Sequence, residues 1–257
     1  MSAEPLSGRG IVITRPREHA LALAERIRAV GGDPILFPTI EILPPENQDA
    51  VSGIIARLER FQLAIFVSPT AALRGHTLVS ASRSWPEGLR VAAVGAGTAK
   101  ALMERGFRDV ISPEGEADSE ALAALAELQE LRGQPVVIFR GQGGREWLRR
   151  ELEARGARVE YAECYRRARP EADARSVLAQ WQTGAVDAVS ITSAEGLVNC
   201  FAMLGPTGGR YLRATPMFVP HPRIELAARE RDVREIIVTW RGDERTVAEM
   251  AAFFARV

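Results

Sequence analysis

Short apolar runs bounded by Gly, Pro or Ser alternate along the chain with longer segments whose apolar residues recur at helical spacing. A strand buried on both faces of a parallel sheet reads as an unbroken apolar run, and a crossover to the next parallel strand needs a helix, so this alternation predicts an α/β fold. The runs predict strands at 10–14, 34–37, 63–67, 91–94, 109–111, 135–139, 158–161, 187–191, 217–219 and 235–238. Between them, helices are predicted at 18–30, 48–60, 70–80, 98–105, 119–131, 145–155, 171–182, 194–204, 222–231 and 244–255. Asp118-Ser119 stands where an N-cap belongs, and Gly31-Gly32, Gly106 and Gly156 follow helix ends, where glycine closes a helix at no steric cost.

Ten strands are too many for one ordinary doubly wound sheet, and an internal repeat with a period of about 125 residues divides them. Gly-Ile-Val-Ile-Thr-Arg at 10–15 matches Pro-Val-Val-Ile-Phe-Arg at 135–140, and Gly32…Phe37-Pro38 matches Gly156…Tyr161-Ala162. Ala-Ile-Phe-Val-Ser-Pro-Thr-Ala-Ala-Leu at 64–73 aligns with Ala-Val-Ser-Ile-Thr-Ser-Ala-Glu-Gly-Leu at 188–197, and Val94…Thr98 with Val219…Arg223. Two five-stranded flavodoxin-like units follow. A repeat fixes the period and not which strands share a sheet: the chain divides once near Leu131, or it crosses between domains twice, through 39–45 and 163–170. Both stretches are extended or polar and stopped by proline, and they occupy equivalent places in the repeat, which favours two crossings.

Lys+Arg 33 balance Asp+Glu 33, so no basic field exists to hold nucleic acid. Lys100 is the only lysine, leaving 33 − 1 = 32 arginines, and Schiff-base chemistry would rest on that one amine. Three dispersed histidines (His19, His76, His221) and two cysteines (Cys164, Cys200) offer neither a metal cluster nor a disulfide scaffold, which points to a cofactor-free, metal-free protein of a reducing compartment, the cytoplasm. The stretch 1–10 has no apolar core of a signal peptide, and no run long enough to span a membrane occurs.

Ligands of open α/β sheets gather at the carboxyl ends of the strands. Val-Gly-Ala-Gly-Thr-Ala at 94–99 puts Gly97 and Thr98 at a helix start, where free amides and the helix dipole favour a carboxylate or phosphate; the alternative is a turn that only begins a helix. Ser68-Pro69-Thr70 and Thr192-Ser193-Ala194 are repeat mates whose hydroxyls suit either N-capping or anion binding. Arg15 and Arg140-Gly141 place guanidinium groups at matching strand ends, as carboxylate clamps or as ordinary ion pairs. His221, between two prolines and followed by Arg223, is an acid–base candidate or a packing element. Tyr165, in the second connector, is a hinge contact or a proton donor. No P-loop, dinucleotide fingerprint or Gly-x-Ser-x-Gly elbow is present, which leaves a nucleotide-sugar transferase with little support.

Taken in order, Ile-Thr-Arg-Pro, Phe-Val-Ser-Pro-Thr-Ala, Val-Gly-Ala-Gly-Thr-Ala-Lys-Ala-Leu, Val-Ile-Phe-Arg-Gly and Cys-Tyr-Arg-Arg resemble the uroporphyrinogen-III synthase family through nearly the whole chain. The resemblance implies two flavodoxin-like parallel-sheet domains joined by a two-stranded linker: 1–38 with 171–257, 46–162, and linkers 39–45 and 163–170. It implies a cyclising hydro-lyase, active as a monomer, that closes hydroxymethylbilane, a linear tetrapyrrole with eight carboxylates, to uroporphyrinogen III in haem biosynthesis with loss of water and inversion of ring D. The substrate would lie in an interdomain cleft, with Tyr165 as proton donor and Ser68, Thr98 and Ser193 with neighbouring amides holding carboxylates. Transient contact with the enzyme that makes hydroxymethylbilane fits such a role. The turn 220–223 departs from a second Gly-x-x-Thr expected there, so His221 and Arg223 stand where the family's donors would be. The rival from another class is a two-lobed binding or sensor protein that closes on a small anion without chemistry.

Overall fold

The strands buried on both faces form as the apolar runs require: every residue of Gly10–Ile13 and of Leu63–Phe66 is buried. The computed structural model describes residues 4–114, 118–240 and 242–256; residues 1–3 of the stretch read for a signal peptide lie outside them. In chain order the strands are β1 (Gly10–Ile13), β2 (Asp33–Leu36), β3 (Glu41–Leu43), β4 (Leu63–Phe66), β5 (Arg90–Ala93), β6 (Val110–Ile111), β7 (Pro135–Gly141), β8 (Arg158–Ala168), β9 (Ala188–Ser190), β10 (Met217–Val219) and β11 (Ile236–Val238). The helices are α1 (Arg17–Arg28), α2 (Gln48–Ile55), α3 (Pro69–Ser80), α4 (Ala96–Met103), α5 (Ser119–Ala123), α6 (Trp147–Ala154), α7 (Arg175–Gln182), α8 (Ala194–Ala214), α9 (Pro222–Arg229) and α10 (Asp243–Phe254).

The chain folds into two units, Met1–Glu41 with Ala168–Val257, and Ile42–Arg167. The first holds a parallel sheet of order β11-β10-β9-β1-β2, the flavodoxin-like arrangement. The second holds β8-β7-β4-β5-β6, also parallel, with β3 added beside β8. Both sheets thus have the same spatial order, but each takes two strands from one repeat and three from the other.

Alternate side chains of each sheet feed separate cores. In the second unit Leu63, Ile65, Val136 and Ile138 pack with α5 and α6, while Phe66, Ala93, Val137 and Phe139 pack with α2, α3 and α4. In the first, Ile11, Ile13 and Phe218 meet α1 and α10; Val12, Val189 and Val219 meet α7, α8 and α9. Gly31, Gly106 and Gly156 close α1, α4 and α6 with φ of 84°, 92° and 85°, as their sequence positions predict.

Four expectations need correction. The second sheet has six strands rather than five, because Glu41–Leu43 of the first connector is itself a short strand, ended by Pro44-Pro45. The strand expected at 158–161 continues unbroken to Ala168, so Cys-Tyr-Arg-Arg of the second connector is strand as well. The single helix expected at 119–131 is two pieces: Leu125 turns extended (φ −65°, ψ 145°) between α5 and a 3-10 turn at Ala126–Leu128. The Gln129 amide donates to the Ala123 and Leu125 carbonyls, both at 2.9 Å, and closes the break. Finally, α8 does not stop at Leu204. Gly205 (φ 63°, ψ −169°) kinks the chain, and Pro206 opens a second helical segment to Ala214.

Candidate functional site

In the second unit the turns after β4, β5 and β7 lie at the carboxyl edge of one parallel sheet. Ser68 caps α3, its Oγ accepting the Ala71 amide at 3.0 Å, and Pro69 takes the first helical position. The next helix, α4, begins at Gly95 without a side-chain cap. Its leading amides, at the exposed residues Ala96 and Gly97, are those a helix start leaves without an internal acceptor. The two starts are neighbours, since a Cβ on Gly97 would lie 3.9 Å from Pro69 Cγ. Thr70 and Thr98 are buried, at 9% and 3% exposure, so the groups this edge offers outward are chiefly amides.

Tyr165 comes to the same place from β8. Between Arg140 and Gly141 the β7–β8 register shifts, so that Gly141 stands opposite Tyr165. The phenol is 2% exposed and shares a 3.3 Å hydrogen bond with Ser68 Oγ. Gly141 makes room for the ring: a Cβ there would meet Tyr165 Cζ at 2.6 Å and its hydroxyl at 3.0 Å. Ser68, Pro69, Gly97, Gly141 and Tyr165 are therefore one constellation.

Arg140 is not displayed as a clamp. At 5% exposure its guanidinium donates to Glu146 Oε1 at 3.0 Å, to the Gly141 carbonyl at 3.1 Å and to the Gly143 carbonyl, and lies 4.3 Å from the Tyr161 ring centre. It braces the turn after β7. The Tyr161 hydroxyl donates to Glu146 Oε2 at 3.0 Å; that bond, with Arg140, holds the Glu146 carboxyl below its ordinary range. Burial and the same carboxylate push the Tyr161 phenol up to about 12.

In the first unit, Ser193 caps α8 by accepting the Gly196 amide at 3.0 Å, with Ala194 exposed beside it. His221 caps α9, its Nδ1 accepting the Arg223 amide at 3.0 Å. The structure shows the hydrogen-bonding alternative for His221, itself exposed, and Arg223 is exposed beside it. Arg15 is engaged with Asp243 Oδ1 at 2.7 Å, joining the end of β1 to the first turn of α10. The carboxylate partners Glu146 and Asp243 were missed in the sequence, where nothing marks which of 33 acidic residues faces a given arginine. Among the described residues no cluster of three or more His, Cys, Asp or Glu side chains could hold a metal ion, and no helix is long and apolar enough to cross a membrane.

A family model described as uroporphyrinogen-III synthase HemD matches residues 22–247. The chain belongs to the uroporphyrinogen-III synthase family. It is 34% identical over 236 residues to the uroporphyrinogen-III synthase of Salmonella typhimurium (91% of this chain, 96% of that protein), and 32% identical to that of Escherichia coli with the same coverage. Among solved structures, the synthetase from Helicobacter pylori superposes with a TM-score of 0.61 at 14% identity, over 95% of this chain and 99% of that one. A mutant synthase from the extremely thermophilic bacterium Thermus thermophilus gives 0.60 at 20% identity, over 96% and 98%, and both likenesses speak to fold alone. Within the family's fold, the turns picked out by sequence all stand at strand carboxyl ends, but only those of the second unit gather around a tyrosine.

Proposed function

We propose that this chain is a uroporphyrinogen-III synthase that closes hydroxymethylbilane with inversion of ring D. Family membership over 22–247 carries the reading, and the Tyr165–Ser68 pair supplies a proton donor at the edge where helix amides can take carboxylates. A neutral protein can hold a polyanion this way, through local donors rather than net charge.

The reaction begins as the terminal hydroxyl of ring A takes a proton and its C–O bond breaks, releasing water and leaving an azafulvene cation. The phenol is buried while Ser68 is partly exposed, so the serine hydroxyl relays the proton and is itself reprotonated by Tyr165. The substituted carbon of ring D attacks the cation, the spiro intermediate fragments, and re-closure through the other α-carbon inverts ring D and releases a proton, which returns through Ser68 to the Tyr165 phenolate. Without protein the same cation closes uninverted, so the protein contributes mainly orientation and shelter from water. We also propose a cytoplasmic monomer, in keeping with two buried free cysteines.

The test is to supply purified protein with freshly generated hydroxymethylbilane, oxidise the products and separate the uroporphyrin isomers. Type III product is expected. Type I alone, as in a protein-free control, sinks the reading and favours a non-catalytic binding protein.

A further inference from the structure

Trp240 is exposed at 51%, in the turn after β11, at the same sheet edge that carries the turns of Ser193 and His221. Its φ is 58°, and among the described non-glycine residues only Asp232, at 60°, shares a positive φ. An aspartate tolerates that region because its short side chain bonds locally; an indole has no such compensation and its Cβ crowds the backbone. An exposed residue held in an unfavourable conformation would relax unless its surroundings over-determined it.

The surroundings do. Thr239, 1% exposed, places Oγ1 3.2 Å from the Trp240 carbonyl and 3.2 Å from Thr246 Oγ1, while its amide donates to the Val219 carbonyl at 2.8 Å. Thr246 Oγ1 donates to the Gly242 carbonyl at 3.0 Å, and Arg15 fastens Asp243 at 2.7 Å. The turn is thus tied to β10, to α10 and to the end of β1, and the ties hold a half-exposed indole at the carboxyl edge of the sheet, where ligands of open α/β sheets gather. Apolar burial does not explain the indole, since half of it is in water.

We propose that Trp240 is a substrate-stacking residue, its indole packing on a pyrrole ring of the linear tetrapyrrole and adding to the affinity for the bound chain. The assignment rests on the synthase reading above. Arg15 then acts as a positioning residue, holding the turn rather than clamping a carboxylate.

The experiment compares wild type, W240G and W240F in melting temperature, KM and kcat for hydroxymethylbilane, and isomer ratio. Glycine accepts φ near +60° without strain, so W240G should melt at or above the wild-type temperature. A lost stacking contact made equally in ground and transition states should raise its KM about fivefold with kcat little changed. W240F, which keeps a ring, should stay near wild type. Unchanged KM in W240G overturns the proposal, as does an equal KM rise in W240F, which would mean a distorted turn. Wild type yielding only type I product overturns the synthase reading and this one together; wild type that inverts ring D beside an unaffected W240G overturns this one alone.

Discussion

The Tyr165 phenol and the Ser68 hydroxyl share a hydrogen bond of 3.3 Å, and the same serine oxygen accepts the Ala71 amide at 3.0 Å to cap α3. One atom therefore serves both a helix end and a proton donor. On the proposed mechanism stability and chemistry meet there, and substitutions can separate them.

Tyr165→Phe keeps the ring that fills the core under Gly141 and removes only the hydroxyl. Turnover should fall roughly 100-fold, the lower end of what general acid help supplies. The thermal transition should move little, because the lost bond is long and its partner retains the Ala71 amide. Steady-state rates beside a melting curve decide it; an unchanged kcat removes the phenol from the mechanism.

Gly141→Ala pushes a methyl group to 2.6 Å from Tyr165 Cζ. The ring must shift, at a cost of about 1–3 kcal/mol for overpacking, and the phenol should lose Ser68. Both stability and turnover should fall. A variant as active as wild type would show that the phenol's placement does not matter.

Ser68→Ala and Ser193→Ala each remove an N-cap, worth about 1 kcal/mol. Only the first should also slow turnover, and combined with Tyr165→Phe it should slow it little further, since the two hydroxyls act in series. Independent, multiplying effects in that double-mutant cycle would refute the relay.

Glu146 gives a pH dependence of stability. Tyr161 and Arg140 hold its folded carboxyl below the ordinary value of 4.5, so the contribution is complete above that value. As pH falls, the unfolded chain takes up the proton first, and the contribution fades until the folded carboxyl is protonated too. Glu146→Gln should flatten the loss of stability below about pH 4.5. Denaturant titrations at several acidic pH values measure the slope; equal slopes would show the carboxylate to be uncoupled from folding.

The sequence predicted whichever elements depend on neighbours in the chain. Gly31, Gly106 and Gly156 marked helix ends because a positive φ is a local demand, and the paired runs at 10–15 and 135–140 marked the first strand of each repeat. What escaped was set at a distance. Glu41–Leu43 reads as a proline-stopped connector until β8 lies beside it. Gly205-Pro206 reads as a stop, although the helix resumes after one kinked residue. Arg15 and Arg140 read equally as carboxylate clamps or as ion pairs, because Asp243 and Glu146 reach them only through tertiary packing. Tyr165 stood out in Cys-Tyr-Arg-Arg, whereas its seat opposite Gly141 depends on a register shift that no local pattern encodes. Trp240 passed unnoticed because composition carries no sign of a backbone angle.

The interleaved division of the chain also fixes an order of assembly on the ribosome. Ile42–Arg167 is continuous and can close its sheet as soon as it emerges, whereas Ile11 must wait for Ala188, its partner in the neighbouring strand. β1 and β2 are thus made well before the strands that complete their sheet and remain an unfinished edge until Ala188 has emerged. An arrest of synthesis near Arg167 would leave one finished body trailing two strands without the partners that complete their sheet.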